Sequence, residues 1–156
     1  MSKDVVRTEN APAPFQGAPY SQAIKANGFV FVSGQLSLLP GQKELKDGDI
    51  AEQTEQVFAN LRAILEEAGS SLDNLVKTTV FLQSLDDFAG MNEVYARHVG
   101  GTPPARSTVE VAKLPSRALV EIEAIPLIRT RRAVRPVARA VCVRRRRGGA
   151  RRAART

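Results

Sequence analysis

The sequence is poor in the residues that most enzymes use for nucleophilic, redox or metal chemistry. It holds one cysteine, one histidine and no tryptophan in 156 residues. A single cysteine excludes a disulfide within the chain, and a single histidine argues against a histidine-based metal site. A glycine-rich phosphate loop, a Gly-x-Ser-x-Gly elbow and a cysteine-pair motif are also missing. We therefore expect neither a cofactor nor a metal.

Long apolar stretches are missing as well. No run approaches the roughly 20 apolar residues that a helix needs to cross a bilayer. The N-terminal segment carries Asp4 and Glu9 and no apolar centre, so it does not resemble a secretory signal. With 43% hydrophobic and 25% charged residues, the composition is that of a folded domain. We expect a cytoplasmic protein that makes no membrane contact.

The net charge of +7 divides into two opposite parts. Residues 129–156 contain 12 arginines and neither lysine nor acid, whereas residues 1–128 contain 11 lysines and arginines and all 16 acids. The body therefore carries −5 and the extension +12. We predict a folded domain over 1–128 and a disordered arginine-rich extension over 129–156, which includes Cys142.

Three interpretations of the 129–156 extension stay open. It could make nonspecific contact with nucleic acid or another anionic surface, through charge alone. It could be a solvated extension without a function. The abrupt change to Arg, Ala, Val and Gly also fits the product of a shifted reading frame in a GC-rich gene.

Apolar periodicity within the body predicts five strands and two helices. Asn27-Gly28 predicts a hairpin turn between the first two strands. Asp49 is placed to cap a first helix that ends at Gly69, and Ser84 to cap a second that ends at Gly100. The predicted strands cover residues 20–25, 29–35, 75–83, 106–111 and 119–125.

The resulting order, β-β-α-β-α-β-β, predicts an α+β domain with a single sheet and two helices on one face. The two amphipathic helices cover only that face. The strands, however, supply apolar residues to both faces. We therefore expect the second face to meet other copies of the chain in an oligomer.

Two features of the body could carry chemistry. Arg106 begins a predicted strand directly after a proline-rich turn, and its planar guanidinium suits a carboxylate. Glu121 and Glu123 alternate along the last strand and share one face, where burial would call for ion pairing with Arg106 or for a role with water. For Arg106 a structural salt bridge, and for the two glutamates simple solvation, remain the alternatives. His98 is interpreted as a partly exposed residue near a helix end.

Five short motifs, taken together and in this order, resemble the RidA/YjgF family of enamine/imine deaminases. They span about residues 10 to 128 of the chain. The motifs are Pro19-Tyr20-Ser21-Gln22-Ala23, Val32-Ser33-Gly34-Gln35, Val76-Lys77-Thr78-Thr79-Val80-Phe81, the segment from Pro104 to Val111, and Glu121-Ile122-Glu123-Ala124-Ile125.

The resemblance implies a chorismate-mutase-like fold and a homotrimer that forms through the sheet face, with a site in each cleft between subunits. It implies a 2-iminobutanoate/2-iminopropanoate deaminase, which hydrolyses 2-aminoacrylate and related 2-imino acids to 2-keto acids and ammonia and so protects pyridoxal-phosphate enzymes. By resemblance, Arg106 clamps the substrate carboxylate and Glu121 holds or activates the attacking water. The remaining implied contacts with the substrate come from Tyr20 of the neighbouring subunit, Ser33, Gly34, Asn92 and Thr108.

Two other functions remain open at the level of sequence. One is a ribonuclease or translation inhibitor, an activity that is also attached to parts of this family. The negative charge of the body and the lone His98 argue against it, because RNA cleavage usually needs a paired acid and base. The other is a trimer that binds small ligands without catalysis.

Overall fold

A mixed sheet of six strands and two α-helices make up the fold of this computed structural model, which describes residues 2–14, 18–42 and 44–128. The predictions for the 129–156 extension, Cys142 included, lie outside the described residues. In chain order the elements are β1 (Asp4–Val6), β2 (Ala23–Ala26), β3 (Phe29–Gln35), α1 (Ile50–Glu67), β4 (Leu75–Leu82), α2 (Phe88–Val99), β5 (Ala105–Glu110) and β6 (Val120–Pro126).

The strands lie in the order β1-β2-β3-β6-β4-β5. All neighbouring pairs are antiparallel except β4 and β5, which are parallel and joined through α2. This crossover brings α2 and β5 together at one edge of the sheet. The α+β prediction with a single mixed sheet and two helices is confirmed.

Local signals in the sequence set several of the element boundaries. Asn27 and Gly28 adopt positive φ angles of 52° and 81°, as the predicted hairpin turn requires. The Asp49 carboxylate accepts from the backbone N–H of Glu52 at 2.9 Å, and the Glu52 carboxylate accepts from the N–H of Asp49 at 3.1 Å. This capping box starts α1 where the sequence predicts.

The core lies between the two helices and one face of the sheet. Alternate residues of β3, β4 and β6 point into the core. Their side chains pack there against the apolar faces of the two helices. The side chains that are almost fully buried there include Val30, Val80, Ile122, Phe58, Leu61 and Ile64.

His98 joins α2 to α1 at the surface of the helix layer. Its ring stacks on Phe58 with centroids 4.5 Å apart, and its Nε2 lies 2.6 Å from a carboxylate oxygen of Glu55. Glu55 also pairs with Arg97 at 2.8 Å. The only histidine of the chain therefore has a structural contact on both its face and its edge.

Three local predictions need correction. The short edge strand β1 was not predicted, because three residues carry too little periodicity to be recognised without their partner β2. Tyr20 lies in a turn before β2 rather than in the strand, since its N–H bonds the carbonyl of Ala18. Ser84 caps a short 3-10 turn over Leu85–Asp87, and α2 follows that turn directly.

The face of the sheet that points away from the helices is left open within one chain. Phe31 and Val109 are 47% and 43% exposed. An open apolar face is what the sequence predicts; the trimer that would cover it stays a prediction. Among the described residues, no helix combines the length and apolar character that a membrane span needs.

Candidate active site

Arg106 lies near the start of the edge strand β5 and points toward the helix side of the sheet. The register pairs it with the fully buried Thr78 of β4, which fixes that side. Its guanidinium carbon sits 4.5 Å from the ring centroid of Tyr95 and 5.6 Å from that of Phe88. No carboxylate of the described chain forms a salt bridge with Arg106.

A cleft of about 420 Å³ opens beside this guanidinium. Asn92 and Tyr95 of α2 form one wall, and the Pro103-Pro104 turn forms the other. We call this the arginine cleft. Two of the predicted site residues, Arg106 and Asn92, line this cleft. The Arg106 guanidinium is the cation of the cleft, and it is free to bind an anion.

Glu121 lies on the opposite, open face of the sheet. Burial, followed by repulsion from the charge of Glu123, raises the pKa of Glu121 above the ordinary value of 4.5 for a glutamate. The described residues offer its carboxylate no hydrogen bond and no cation within ion-pair distance. The ion pair with Arg106 that the sequence left open does not form within one chain.

A β-bulge places Gly34 against Glu121. Between Val32 and Gln35, strand β3 uses one residue more than β6 does between Ala124 and Ile122, so Ser33 and Gly34 form the bulge. A Cβ atom added at Gly34 would collide with the carboxyl group of Glu121. The glycine therefore permits this close approach, and a side chain at position 34 would displace the carboxyl group of Glu121.

Tyr20 and Ser33 lie beside Gly34, the residue that meets the Glu121 carboxylate. Tyr20, which is 46% exposed, shares a small crevice with Gly34 and Gln22. The Ser33 hydroxyl donates to the carbonyl of Ser21 at 2.7 Å. We call the group formed by Tyr20, Ser33, Gly34 and Glu121 the glutamate face.

The arginine cleft and the glutamate face are too far apart in one chain to hold the same small molecule. Arg106 is level with Thr78 of β4, whereas Glu121 is level with Phe81, three residues further along. Their backbones are thus about 10 Å apart along the strands and about 10 Å apart across the sheet. The two side chains also point to opposite faces. One chain therefore presents two half-sites.

Thr108 lies two residues beyond Arg106 on the same side of β5. Its Oγ1 is buried and has no hydrogen-bond partner among the described residues. This hydroxyl is a polar group available near the arginine cleft. The predicted substrate contact of Thr108 stays a prediction.

Two aromatic residues and one amide were not recognised as site residues from the sequence. Tyr95 and Phe88 fit the apolar face of a helix, and their stacking on Arg106 depends on the β4-α2-β5 crossover. Gln22 is 3% exposed and fixes the N-terminal segment through side-chain bonds to Thr8, Ala11 and Pro12. It thereby holds the backbone on which Tyr20 sits.

Metal or histidine chemistry has no visible basis in the described part of the chain. It contains no group of three or more His, Cys, Asp or Glu side chains that could hold a metal ion. His98 is engaged with Glu55 and Phe58 in the helix layer, away from both half-sites. The fold and the half-sites define a class of α+β proteins with one mixed sheet, two helices on one face and an unpaired arginine beside a cleft.

Known proteins are similar to this chain in sequence and in fold. The family model described as endoribonuclease L-PSP matches residues 8–128. A RutC family protein of Pyrococcus abyssi is 54% identical over 125 residues, which cover 80% of this chain and 97% of that protein. The chloroplastic Reactive Intermediate Deaminase A of Arabidopsis thaliana is 47% identical over 80% of this chain and 66% of its own length.

Solved structures agree with the sequence matches. Yeast Mmf1 superposes with a TM-score of 0.77 at 48% identity, covering 81% of this chain and 98% of that one. TdcF of E. coli, crystallised with bound serine, superposes with a TM-score of 0.73 at 38% identity, covering 80% and 98%. The chain belongs to the RidA/YjgF family, whose members carry deaminase, RutC and endoribonuclease names.

Proposed function

We propose that this protein hydrolyses reactive 2-imino acids, and 2-aminoacrylate, the enamine tautomer of 2-iminopropanoate, to 2-keto acids and ammonia. The observation that carries the proposal is the state of Arg106. Its guanidinium lines a cleft, is held by two aromatic rings, and has no acid partner in the described chain. A cation prepared in this way fits the carboxylate that every 2-imino acid carries.

The reaction needs little beyond positioning and one proton acceptor. Glu121 takes a proton from water as the oxygen attacks C2 of the imine, and it passes that proton to the imine nitrogen, which gives the neutral carbinolamine. Glu121 then moves the proton of the carbinolamine hydroxyl to the amino nitrogen as the C–N bond breaks, which releases ammonia and leaves the 2-keto acid. The raised pKa of Glu121 suits this base, and no metal or covalent nucleophile is required because the imine carbon is already electrophilic.

The geometry of the half-sites favours a site that is shared between chains. Arg106 and Glu121 of one chain cannot meet on a three- or four-carbon substrate. We place the substrate between Arg106 of one protomer and Glu121 of its partner, with the open sheet faces inside a homotrimer. The bound serine of the TdcF relative supports an amino-acid-sized ligand with a carboxylate.

Competition for a freshly generated imine tests the proposal. A threonine or serine dehydratase generates the imine in place, and semicarbazide traps whatever survives. Wild-type protein should lower the yield of semicarbazone. The variant Arg106→Ala should lose at least about 100-fold in kcat/KM, because the charge-assisted bidentate contact is removed.

Arg62→Ala is the matched control, since Arg62 is exposed on α1 and belongs to neither half-site. It should compete with semicarbazide as well as wild type does. If wild-type protein leaves trapping unchanged with several amino-acid precursors, the proposed hydrolysis is wrong, and binding of small ligands without catalysis takes its place.

Ribonuclease activity has less support, although the matching family model carries that description. An RNA-cleaving site needs an acid and a base beside a phosphate. His98 is engaged with Glu55 away from both half-sites, and the net charge of −5 over residues 1–128 opposes the binding of a phosphate backbone. The proposed cytoplasmic location rests on the composition of the sequence.

A further inference from the structure

Arg106 is partly buried and has no ion pair within the described chain. Its neighbours in the described chain are ring faces rather than carboxylates: Tyr95 at 4.5 Å and Phe88 at 5.6 Å from the guanidinium carbon. Both distances are short enough for cation–π attraction, which acts within about 6 Å of a ring centroid. The rings therefore take the place of an ion pair.

This arrangement leaves the binding edge of the guanidinium open. A carboxylate neighbour would occupy N–H donors that lie in the guanidinium plane, and would compete with any incoming carboxylate. An aromatic ring attracts the cation without being a strong acceptor for those donors. Aromatic support thus holds the group in place and keeps its fork available.

We propose that Tyr95 is a positioning residue for the carboxylate clamp, holding the Arg106 guanidinium in the orientation in which its N–H fork meets the substrate. The inference rests on the role given to Arg106 in the proposed function, and Phe88 assists from the more exposed side. Tyr95 is 4% exposed, whereas Phe88 is 38% exposed.

Tyr95 is itself fixed by two contacts. Its hydroxyl lies 2.7 Å from the Oγ1 of Thr78, which is fully buried and directly opposite Arg106 in the β4–β5 register. Phe58 meets its ring edge-on, with centroids 5.5 Å apart. The Val76–Phe81 motif, which the substrate contacts leave unexplained, thereby has a role: it supplies the hydroxyl that anchors this ring.

Tyr95 also stays neutral beside the cation. Burial raises the pKa of its phenol, and this outweighs the opposite effects of the Thr78 hydrogen bond and the Arg106 charge. A phenolate would pair with Arg106 as a carboxylate does and would block the clamp. The neutral ring keeps the contact a cation–π one at physiological pH.

Calorimetric titration with pyruvate, a 2-keto acid, tests the inference on the full chain. Tyr95→Leu should weaken pyruvate binding about tenfold and Phe88→Leu about threefold, because each removes a ring from Arg106. Tyr95→Phe keeps the ring and loses only the Thr78 bond, so its affinity should stay within about threefold of wild type. Arg106→Ala should abolish binding.

Tyrosine emission gives a signature that a merely structural role would not produce. The chain has two tyrosines and no tryptophan, so Tyr95 is the only emitter of this kind in a Tyr20→Phe background. Pyruvate should change that emission with the affinity that calorimetry gives in the same background. Adding Arg106→Ala should remove the change.

The outcomes separate this inference from the proposed function. A folded Tyr95→Leu protein that binds pyruvate within twofold of wild type overturns the positioning role, whether or not imine is hydrolysed. If Tyr95→Leu does not fold, two results together overturn the positioning role. They are a Phe88→Leu protein that binds pyruvate as tightly as wild type does, and a Tyr95 emission that pyruvate does not change. Loss of pyruvate binding in Tyr95→Leu, in a protein whose wild type hydrolyses no imine, supports the clamp and rejects the deaminase. Wild-type protein that binds no pyruvate overturns the inference.

Discussion

At the scale of single residues, burial of the Glu121 carboxylate makes it a stronger base but lowers the stability of the fold. Burial raises its pKa, and the charge of Glu123 adds to the rise. A carboxylate with a raised pKa is a stronger base than a solvated one. The same burial costs free energy of folding, because the charged form loses hydration.

Replacing Glu121 by glutamine should therefore abolish imine hydrolysis and raise the Tm at about pH 7. The folded chain binds the proton of Glu121 more tightly than the unfolded chain does, for which the pKa is near 4.5. The free energy of unfolding contributed by this group consequently falls as the pH rises from that value through the folded pKa. The gain in Tm should vanish at about pH 3.5, where both states carry the neutral acid.

Scanning calorimetry at the two pH values and the imine assay measure these effects. Glu123→Gln is the matched control, since it changes the exposed carboxylate two positions along the same strand. It should retain hydrolysis. An active Glu121→Gln protein, or one that gains no Tm near neutral pH, would contradict the role given to this carboxylate.

At the scale of elements, helix α1 depends on the reciprocal hydrogen bonds at its N-terminus. Asp49→Ala removes one of them and leaves the N–H of Glu52 without its partner. Loss of an N-cap costs about 1 kcal/mol, so the Tm should fall by roughly 3–5 °C. Asp47→Ala, in the exposed loop just before the helix, should leave the Tm nearly unchanged; equal losses in the two variants would show that the cap contributes nothing.

The elements that the sequence predicts well are those with local causes. The limits of α1 follow from Asp49, Glu52 and Gly69, which act on their immediate neighbours, and the hairpin follows from Asn27-Gly28. Strand β1 has no such signal, since it exists only through its pairing with β2.

Long-range contacts explain what could not be predicted at the site. Arg106 was recognisable as a candidate because its residue type and its place after a proline turn already suggest a carboxylate. The ring of Tyr95 beneath it comes from another element, and only the fold brings the two together. The separation of Arg106 and Glu121 likewise needs the strand order and the register, which no local pattern encodes.

At the scale of the whole molecule, a shared site predicts complementation between two inactive variants. Arg106→Ala and Glu121→Gln should each be inactive alone. Chains of the two kinds mixed in equal amounts and assembled together should recover about a quarter of wild-type activity, because each cleft takes one half from each of two neighbours in a cyclic assembly.

The control for complementation is the double variant Arg106→Ala/Glu121→Gln assembled with either single variant. No cleft in those mixtures has both groups, so no activity should return. Recovery in the control, or none in the mixture of the two single variants, would be incompatible with a site built from two chains.

If the site is shared between chains, as proposed, activity depends on the concentration of the protein, because Arg106 and Glu121 of one chain point to opposite faces of the sheet. A single chain would then hold Arg106 without a nearby Glu121 and would be inactive until it associates with another copy. At low protein concentration, the total activity would rise more steeply than the concentration of chains. A chain that lacks both groups would inactivate two clefts, so it would remove more activity than its fraction of the chains.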